Sequence, residues 1–249
     1  MKARRRYALA PALLAVAAFT PLADGAGSST PRPPSWVQHG KYAPVIDNAN
    51  FVARIDNRYF PLEPGTVFRY RGLKDTATQI DEVTVTHQVK RVLGIKCTVV
   101  RDVVSQAGKK LELTYDWYAQ DKQGNVWYMG EAAFDRQNGR FVRAKDSWEA
   151  GVKNAKPGII MRGDPRPGDV YRQEYYPPDA LDQAHVGHAS ATVSVPAGTY
   201  KHALVTDEWS PVEPQIERKW YAAGVGEIKE KVTAGGHEVF RLASVRHAP

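Results

Sequence analysis

Two short strings recur in this chain at one spacing. Residues 64–69 (PGTVFR) return as 167–172 (PGDVYR), and residues 117–119 (WYA) return as 220–222, in both cases 103 positions later. Two matches at the same spacing predict a duplicated β unit, because self-similarity at a fixed period is typical of repeated architectures. The places where the two copies differ are therefore the places to look for function.

The first 26 residues have the pattern of a secretory signal peptide. Residues 2–6 contain four basic side chains, residues 8–18 are apolar but too short to span a bilayer, and small residues follow. Removing residues 1–26 takes away those four bases and Asp24, which lowers the net charge from +7 to +4. We expect a periplasmic or secreted protein with no transmembrane segment in the mature chain, and a charge this small does not favour nucleic-acid binding.

Strand signals recur with turns between them from residue 59 onward. Apolar and polar residues alternate over 81–92, and the loop 121–124 (DKQG) is typical of a hairpin turn. Helical periodicity is nearly absent. We predict an all-β fold, an antiparallel meander of about 11–12 strands from two tandem repeats that forms a half-barrel or a closed barrel.

The predicted organisation has one folded domain behind a linker. Residues 27–58, rich in Pro and Ser, are expected to form a linker and strap, and residues 59–249 a single β domain. Repeat one covers about 61–131, an insert covers 132–165, and repeat two covers about 166–249. The insert has no counterpart in the second copy, which predicts a loop over one end of the sheet, either a binding loop or a plain cover.

No pattern in the sequence indicates a metal, a cofactor or an activated nucleophile. Cys97 is the only cysteine, so the chain forms no internal disulfide, and its apolar surroundings predict a buried structural thiol. His185 and His188 are three apart in a predicted strand, which places them on opposite faces. We therefore expect no metal site and no cofactor.

Three carboxylates are the candidate catalytic residues. Asp116 and Glu131 lie on the aromatic-rich hairpin 115–131, and Glu149 lies in the insert. Two carboxylates among aromatic side chains can divide acid and base roles when the pKa of one is raised. The same pair could instead bind a cation through its oxygens, or it could be a structural polar pair bridged to Arg or Lys.

The pairing register of this hairpin decides whether two of the carboxylates meet. If Gln120 opposes Asn125, Asp116 and Glu131 share a face as diagonal neighbours. If Asp121 opposes Asn125, Glu131 lies on the other face, because a one-residue slip reverses every side chain. The sequence leaves both registers open.

Aromatic and basic residues near the carboxylates could hold a ligand. The predicted ligand-binding residues are Tyr118, Trp127, Trp148 and Arg162. Arg162 lies in the insert and could hold a carboxylate or sulfate through two parallel hydrogen bonds. Arg172 is matched by Arg69 in the first copy, which favours a structural ion-pair role for both.

Several strings resemble a group of exported bacterial proteins. They are YDWYAQDxxGNVWY at 115–128, WEAG at 148–151, AKPGI at 155–159 and YRQEY at 171–175. The resemblance spans most of residues 57–245 and implies an exported β protein without implying an activity. A weaker analogy, at the level of the fold, is to the half-barrels of periplasmic lipoprotein carriers.

The sequence favours a binding protein over an enzyme. In the first hypothesis, a curved β scaffold binds a small or amphipathic ligand (a small molecule, lipid or glycan) in an aromatic-lined cavity closed by the insert. The alternative is an extracytoplasmic carboxylate-dependent hydrolase or lyase that acts on a glycan or ester. A third hypothesis, a scaffold without a ligand, predicts a cavity filled by the protein's own side chains.

Overall fold

The computed structural model describes residues 31–213 and 215–247 of the 249-residue chain. The predicted signal peptide lies outside the described residues. No helix in the described part of the chain has the length and apolar character needed to cross a membrane; the turn Asn48–Asn50 is a 3-10 helix. The strands are β1 Phe51–Val52, β2 Thr66–Lys74, β3 Ala77–Val92, β4 Ile95–Gln106, β5 Lys109–Asp121, β6 Val126–Gln137, β7 Arg140–Arg143, β8 Trp148–Glu149, β9 Lys156–Met161, β10 Val170–Arg172, β11 Glu174–Tyr175, β12 Gln183–Val195, β13 Gly198–Trp209, β14 Ile216–Ala222, β15 Gly226–Ala234 and β16 Glu238–His247.

These strands form one antiparallel sheet that curls into a nearly closed barrel. The order around the sheet is β10-β12-β13-β14-β15-β16-β2-β3-β4-β5-β6-β9-β11, with β1 on β5 and with β7 and β8 on β6. The predicted all-β meander is confirmed. There are 16 strands rather than the expected 11–12. The additional strands β1, β8 and β9 lie in segments predicted as a linker and strap or as an insert loop, and β10 and β11 divide the strand expected over 169–176.

The barrel has one unsealed seam, where its two end strands follow each other in the chain. Arg172 at the end of β10 pairs with Gln183 on β12, and Glu174 at the start of β11 pairs with Pro157 on β9. No ladder joins β10 to β11 among the described strands. The backbone at Gln173 therefore passes from one side of the seam to the other.

An N-terminal segment, residues 36–42, crosses this seam, and we call it the strap. The Gln38 N–H donates to Gln183 Oε1 (2.7 Å) on the β12 side. The Tyr42 hydroxyl donates to the Pro157 carbonyl oxygen (3.0 Å) on the β9 side, and Trp36 stacks on His185 with ring centroids 5.5 Å apart. Part of the segment 27–58, predicted as a linker and strap, is thus hydrogen-bonded to both edges of the barrel.

The two halves of the barrel have the same succession of strands. β2 to β6 form one meander, and β10 with β12 to β15 form the other. At the start of each, a glycine N–H donates to a valine carbonyl oxygen at 2.8 Å, Gly65 to Val85 and Gly168 to Val186. Their origin by duplication stays a prediction. The insert is not a free loop, because β7, β8 and β9 all pair with β6.

Acidic and basic side chains are divided between the inside and the outside. The chain has 34 Lys and Arg and 27 Asp and Glu. Residues 1–26 contain four of the basic residues and one of the acidic residues. Fourteen of the remaining 26 acids are buried, against two of the 30 bases, Arg172 and Lys219. The difference leaves 28 basic and 12 acidic side chains that reach solvent, so the outside is far more positive than the net charge indicates.

We predict that Gly158→Ala destabilises the barrel by about 1–3 kcal/mol, the usual cost of overpacking. A Cβ atom at Gly158 would collide with the carbonyl oxygens of Arg172 and Gln173, which form the seam. Urea unfolding measures the effect. Gly187→Ala on β12 is the control, because its Cβ would make an ordinary 3.5 Å contact with the Val205 oxygen. Equal stability of the two variants would contradict tight packing at the seam.

Candidate functional site

A β-bulge at Gly130 brings Asp116 and Glu131 face to face. Near the turn, Tyr118 on β5 pairs with Tyr128 on β6. The next pair is Asp116 with Glu131, which lies two residues away on β5 but three residues away on β6. Gly130 holds the extra position with φ +133°, a conformation that glycine tolerates. Neither register considered from the sequence persists along the hairpin, but the two carboxylates do share a face.

The pair is enclosed and hydrogen-bonded. Asp116 is 1% exposed and Glu131 is 0% exposed. The Tyr128 hydroxyl oxygen lies 2.8 Å from Asp116 Oδ1 and 3.0 Å from Glu131 Oε2. A phenol has one proton, so a carboxylic acid proton completes the second bond. Burial, reinforced by the Asp102 charge, raises the pKa of Asp116 well above its usual value and favours this protonated form.

A buried aromatic cluster surrounds the pair. The Tyr118 ring stacks on the Tyr128 ring with centroids 4.9 Å apart, and Trp148 meets Tyr128 edge-on at 5.2 Å. The rings fill the barrel here, since Tyr118 and Tyr128 are completely buried and Trp148 is 3% exposed. Tyr118 and Trp148 thus do lie close to Asp116, but they are packed into the protein interior and do not line an open cavity.

Two of the predicted site residues face away from this cluster. Glu149 pairs with Gly130 and its carboxylate lies 2.8 Å from Lys90 Nζ, with both side chains about one-third exposed. The Trp127 indole N–H donates to Asp121 Oδ2 (2.8 Å), on the face opposite Tyr128. Glu149 therefore lies apart from the Asp116–Glu131 pair, and Trp127 does not join the buried rings.

The second half has a cation where the first half has Asp116. Lys219 pairs with Glu230 beside an equivalent bulge between Trp220 and Tyr221. Lys219 is 1% exposed, and its Nζ lies 2.7 Å from Glu208 Oε2 and 3.8 Å from Glu230 Oε2. At these two equivalent positions, the second half thus has an ammonium group beside its buried acids, whereas the first half has a second carboxyl group whose raised pKa favours the protonated form.

Space for a ligand is found at the seam. We define the strap cleft by strap residues 37–40 together with Arg172, Tyr175, Leu181 and Trp209. It is open to solvent and has about 590 Å³ of space. Its walls combine aromatic and aliphatic side chains with the guanidinium of Arg172 and the amides of Gln38 and Gln183. This composition is typical of sites for small ligands that have one polar end.

Arg172 lines this cleft but was not among the ligand-binding residues predicted from the sequence. It is 8% exposed, donates to the Gln38 carbonyl oxygen (2.9 Å), and lies over the Tyr175 ring at 5.4 Å. No carboxylate lies within ion-pair distance of it in the described chain, so the expected structural ion pair is absent. Arg162, the predicted anion-binding residue, instead reaches Asp169 Oδ2 at 3.3 Å.

The described residues contain no group of three or more His, Cys, Asp or Glu side chains arranged to hold a metal ion. The sulfur of Cys97 is buried, and burial raises its pKa to about 12, which keeps it a thiol. Neither feature adds a reactive group to the carboxylate pair or to the strap cleft.

Comparison with known proteins adds a likeness of fold alone. No protein-family model and no curated protein matches the chain. Similar solved structures include a “putative exported protein with YmcC-like fold” from Bacteroides fragilis NCTC 9343 (15% identity, TM-score 0.41) and a “putative lipoprotein” from Parabacteroides distasonis ATCC 8503 (11%, 0.42). Each likeness covers 76% of this chain and 99% of the other. At these scores neither one says what this chain binds.

We predict that Lys219→Met costs about 3–5 kcal/mol at pH 7, because it leaves Glu208 buried without its cation. The adjacent Arg218→Met is the matched control. Arg218 pairs with Asp207 on the outer face with its side chain 43% exposed, where an ion pair contributes about 0–1 kcal/mol. Chemical denaturation compares them, and similar losses in both variants would contradict the buried role of Lys219.

We also predict that the protein becomes more stable as the pH falls from 8 to 5. Burial raises the pKa of Glu238 from 4.5 to about 8, with Lys74 partly offsetting the effect. The folded state therefore keeps protons that the unfolded chain releases between these values, and this stability is lost as the pH rises through that window. Each proton retained by the folded state alone changes the free energy of unfolding by about 1.4 kcal/mol per pH unit.

Urea unfolding at pH 5, 6.5 and 8 measures this dependence. Glu238→Gln is expected to reduce the slope of the free energy of unfolding against pH by about 1.4 kcal/mol per pH unit, the contribution of one proton. A stability that increases with pH, as in ordinary acid denaturation, would contradict the assignment.

Proposed function

We propose that this chain is an exported protein that binds a small amphipathic ligand with an acidic group in the strap cleft. Arg172 carries the proposal, as a buried guanidinium that faces aromatic walls and has no carboxylate partner in the described chain. A buried charge without a counterion is costly. An acidic ligand would supply the missing negative charge.

The walls of the cleft indicate how such a ligand would lie. Its carboxylate, sulfate or phosphate would accept two parallel hydrogen bonds from the Arg172 guanidinium. Its apolar part would pack on Trp209 and Leu181, which line the same space. The strap would close over it, since Arg172 already donates to the strap carbonyl of Gln38.

The proposal includes the location of the protein, which is outside the cytoplasm. Export is supported by the basic, apolar and small-residue succession in residues 1–26 and by the resemblance to exported bacterial proteins. The single cysteine, Cys97, is consistent with a protein whose stability depends on its core outside the cytoplasm.

The hydrolase alternative receives less support from the geometry. Asp116 and Glu131 are enclosed by Tyr128, Tyr118 and Trp148, and a hydrolytic pair must meet both substrate and water. We therefore assign the ligand to the strap cleft, and the carboxylate pair with its aromatic cluster to the packed interior.

We predict that the mature protein binds dodecanoate and that Arg172→Ala weakens binding about 10- to 100-fold, the usual value of a charged hydrogen-bonded contact. Titration calorimetry measures the affinity. Arg69→Ala, at the equivalent position of the other half, should leave it unchanged, and dodecyltrimethylammonium, which has the opposite charge, should not bind.

Because Arg172 also holds the strap, a second variant separates contact with the ligand from loss of structure. Leu181→Trp keeps the arginine and fills the cleft, so it should also abolish binding while leaving the unfolding temperature close to that of the parent. Binding that survives both variants, or equal binding of the cationic detergent, would contradict the proposal.

A further inference from the structure

The outer face of the first half carries a second concavity, the basic groove. It lies across β2, β3, β4 and the start of β5 and encloses about 1410 Å³ that is open to solvent. Four basic side chains line it, Arg69, Arg71, Arg101 and Lys110, against one acidic side chain, Glu82. This groove is on the opposite side of the sheet from the buried acids, because side chains alternate between the faces.

The row of positive charge continues beyond the groove. Lys229 on β15 lies directly opposite Arg241 on β16, which lies directly opposite Arg71 on β2. Like charges placed directly opposite one another on neighbouring strands destabilise a sheet. Partial burial, and then the charges of Arg241 and Lys231, lower the pKa of Lys229. The fold thus places Lys229, Arg241 and Arg71 side by side on three neighbouring strands.

Little on the protein neutralises this array. Among the described residues, Glu82 is the acid in the groove, and its Oε1 lies 3.9 Å from an Arg101 guanidinium nitrogen. The Nε–H of Arg101 is buried and has no hydrogen-bond acceptor there. Arg69, Arg71 and Lys110 have no ion pair within 4.0 Å in the described chain. The exposed guanidinium groups of Arg69 and Arg71 are therefore available to an outside anion.

The side chains that line the groove favour one class of polyanion over the others. Thr78, Ser105 and Gln106 supply hydroxyl and amide groups, and no aromatic side chain lines the groove. Single-stranded nucleic acids bind chiefly by stacking bases on aromatic rings, which this groove lacks. Hydroxyl and amide groups beside arginines suit a sugar chain with acidic substituents.

We infer that the basic groove binds a linear acidic polysaccharide. Carboxylate or sulfate groups would pair with Arg71 and Arg101, and sugar hydroxyls would bond to Ser105 and Gln106. Neighbouring strands are about 4.8 Å apart, so the row from Lys229 through Arg241 to Arg71 can follow successive charges of an extended chain. This site is separate from the strap cleft and does not depend on the function proposed there.

The experiment compares two double variants that remove the same charge. Arg71→Ala with Arg101→Ala removes two of the four basic side chains of the groove. Arg136→Ala with Arg140→Ala removes two exposed arginines of β6 and β7 that are not part of it. Binding of polygalacturonate to the mature protein is measured at 50 and 200 mM salt, with neutral dextran as the uncharged probe. Thermal unfolding checks that both variants are folded.

The proposal predicts that the groove variant binds polygalacturonate at least tenfold more weakly, with a smaller salt dependence. The control variant should bind like the parent, and dextran should not bind. Equal losses in the two variants would overturn it, since that shows general attraction to a basic surface. Tighter binding of oligo(dT) or of phosphatidylglycerol vesicles through Arg71 and Arg101, or no polygalacturonate binding at all, would also overturn it. Arg172→Ala should leave this binding intact, which keeps the two sites distinguishable.

Discussion

A carboxyl group inside a protein must be neutral or paired, and this barrel encloses fourteen of them with two basic side chains. Lys219 compensates part of the excess through Glu208 and Glu230. At the equivalent place in the first half, Asp116 and Glu131 face one another and share bonds with Tyr128. Protons must replace the missing cation there, so the neutral form of buried acids is a condition for the fold.

The same partition explains the character of the surface. With most acids enclosed, 28 basic and 12 acidic side chains reach solvent. The basic groove follows from this excess on the outer face of the first half, and the strap cleft follows from the seam, where Arg172 is enclosed without an acid. Both proposed sites therefore offer positive charge to an anionic ligand, in one case to a small molecule and in the other to a polymer.

Alternation and turn chemistry allowed the sheet to be predicted, because long strands such as Ala77–Val92 have a clear period of two. The pairing of Asp116 with Glu131 could not be predicted, since it depends on a one-residue bulge at Gly130 that local sequence does not specify. The strap cleft was missed for a similar reason, because contacts between Gln38 and Gln183 join residues 145 positions apart. The repeated strings did single out Arg172, but they favoured an ion pair that is not found among the described residues.

Carbon-13 NMR of protein labelled at the Asp and Glu carboxyl carbons tests the central claim most directly. Protonated and ionised carboxyl groups have different chemical shifts, so the titration of each group can be followed in the folded state. The account predicts a set of carboxyl groups, including Asp116, that remains protonated at pH 7. If every Asp and Glu carboxyl group instead loses its proton near pH 4, the barrel interior is ionised and the account is contradicted.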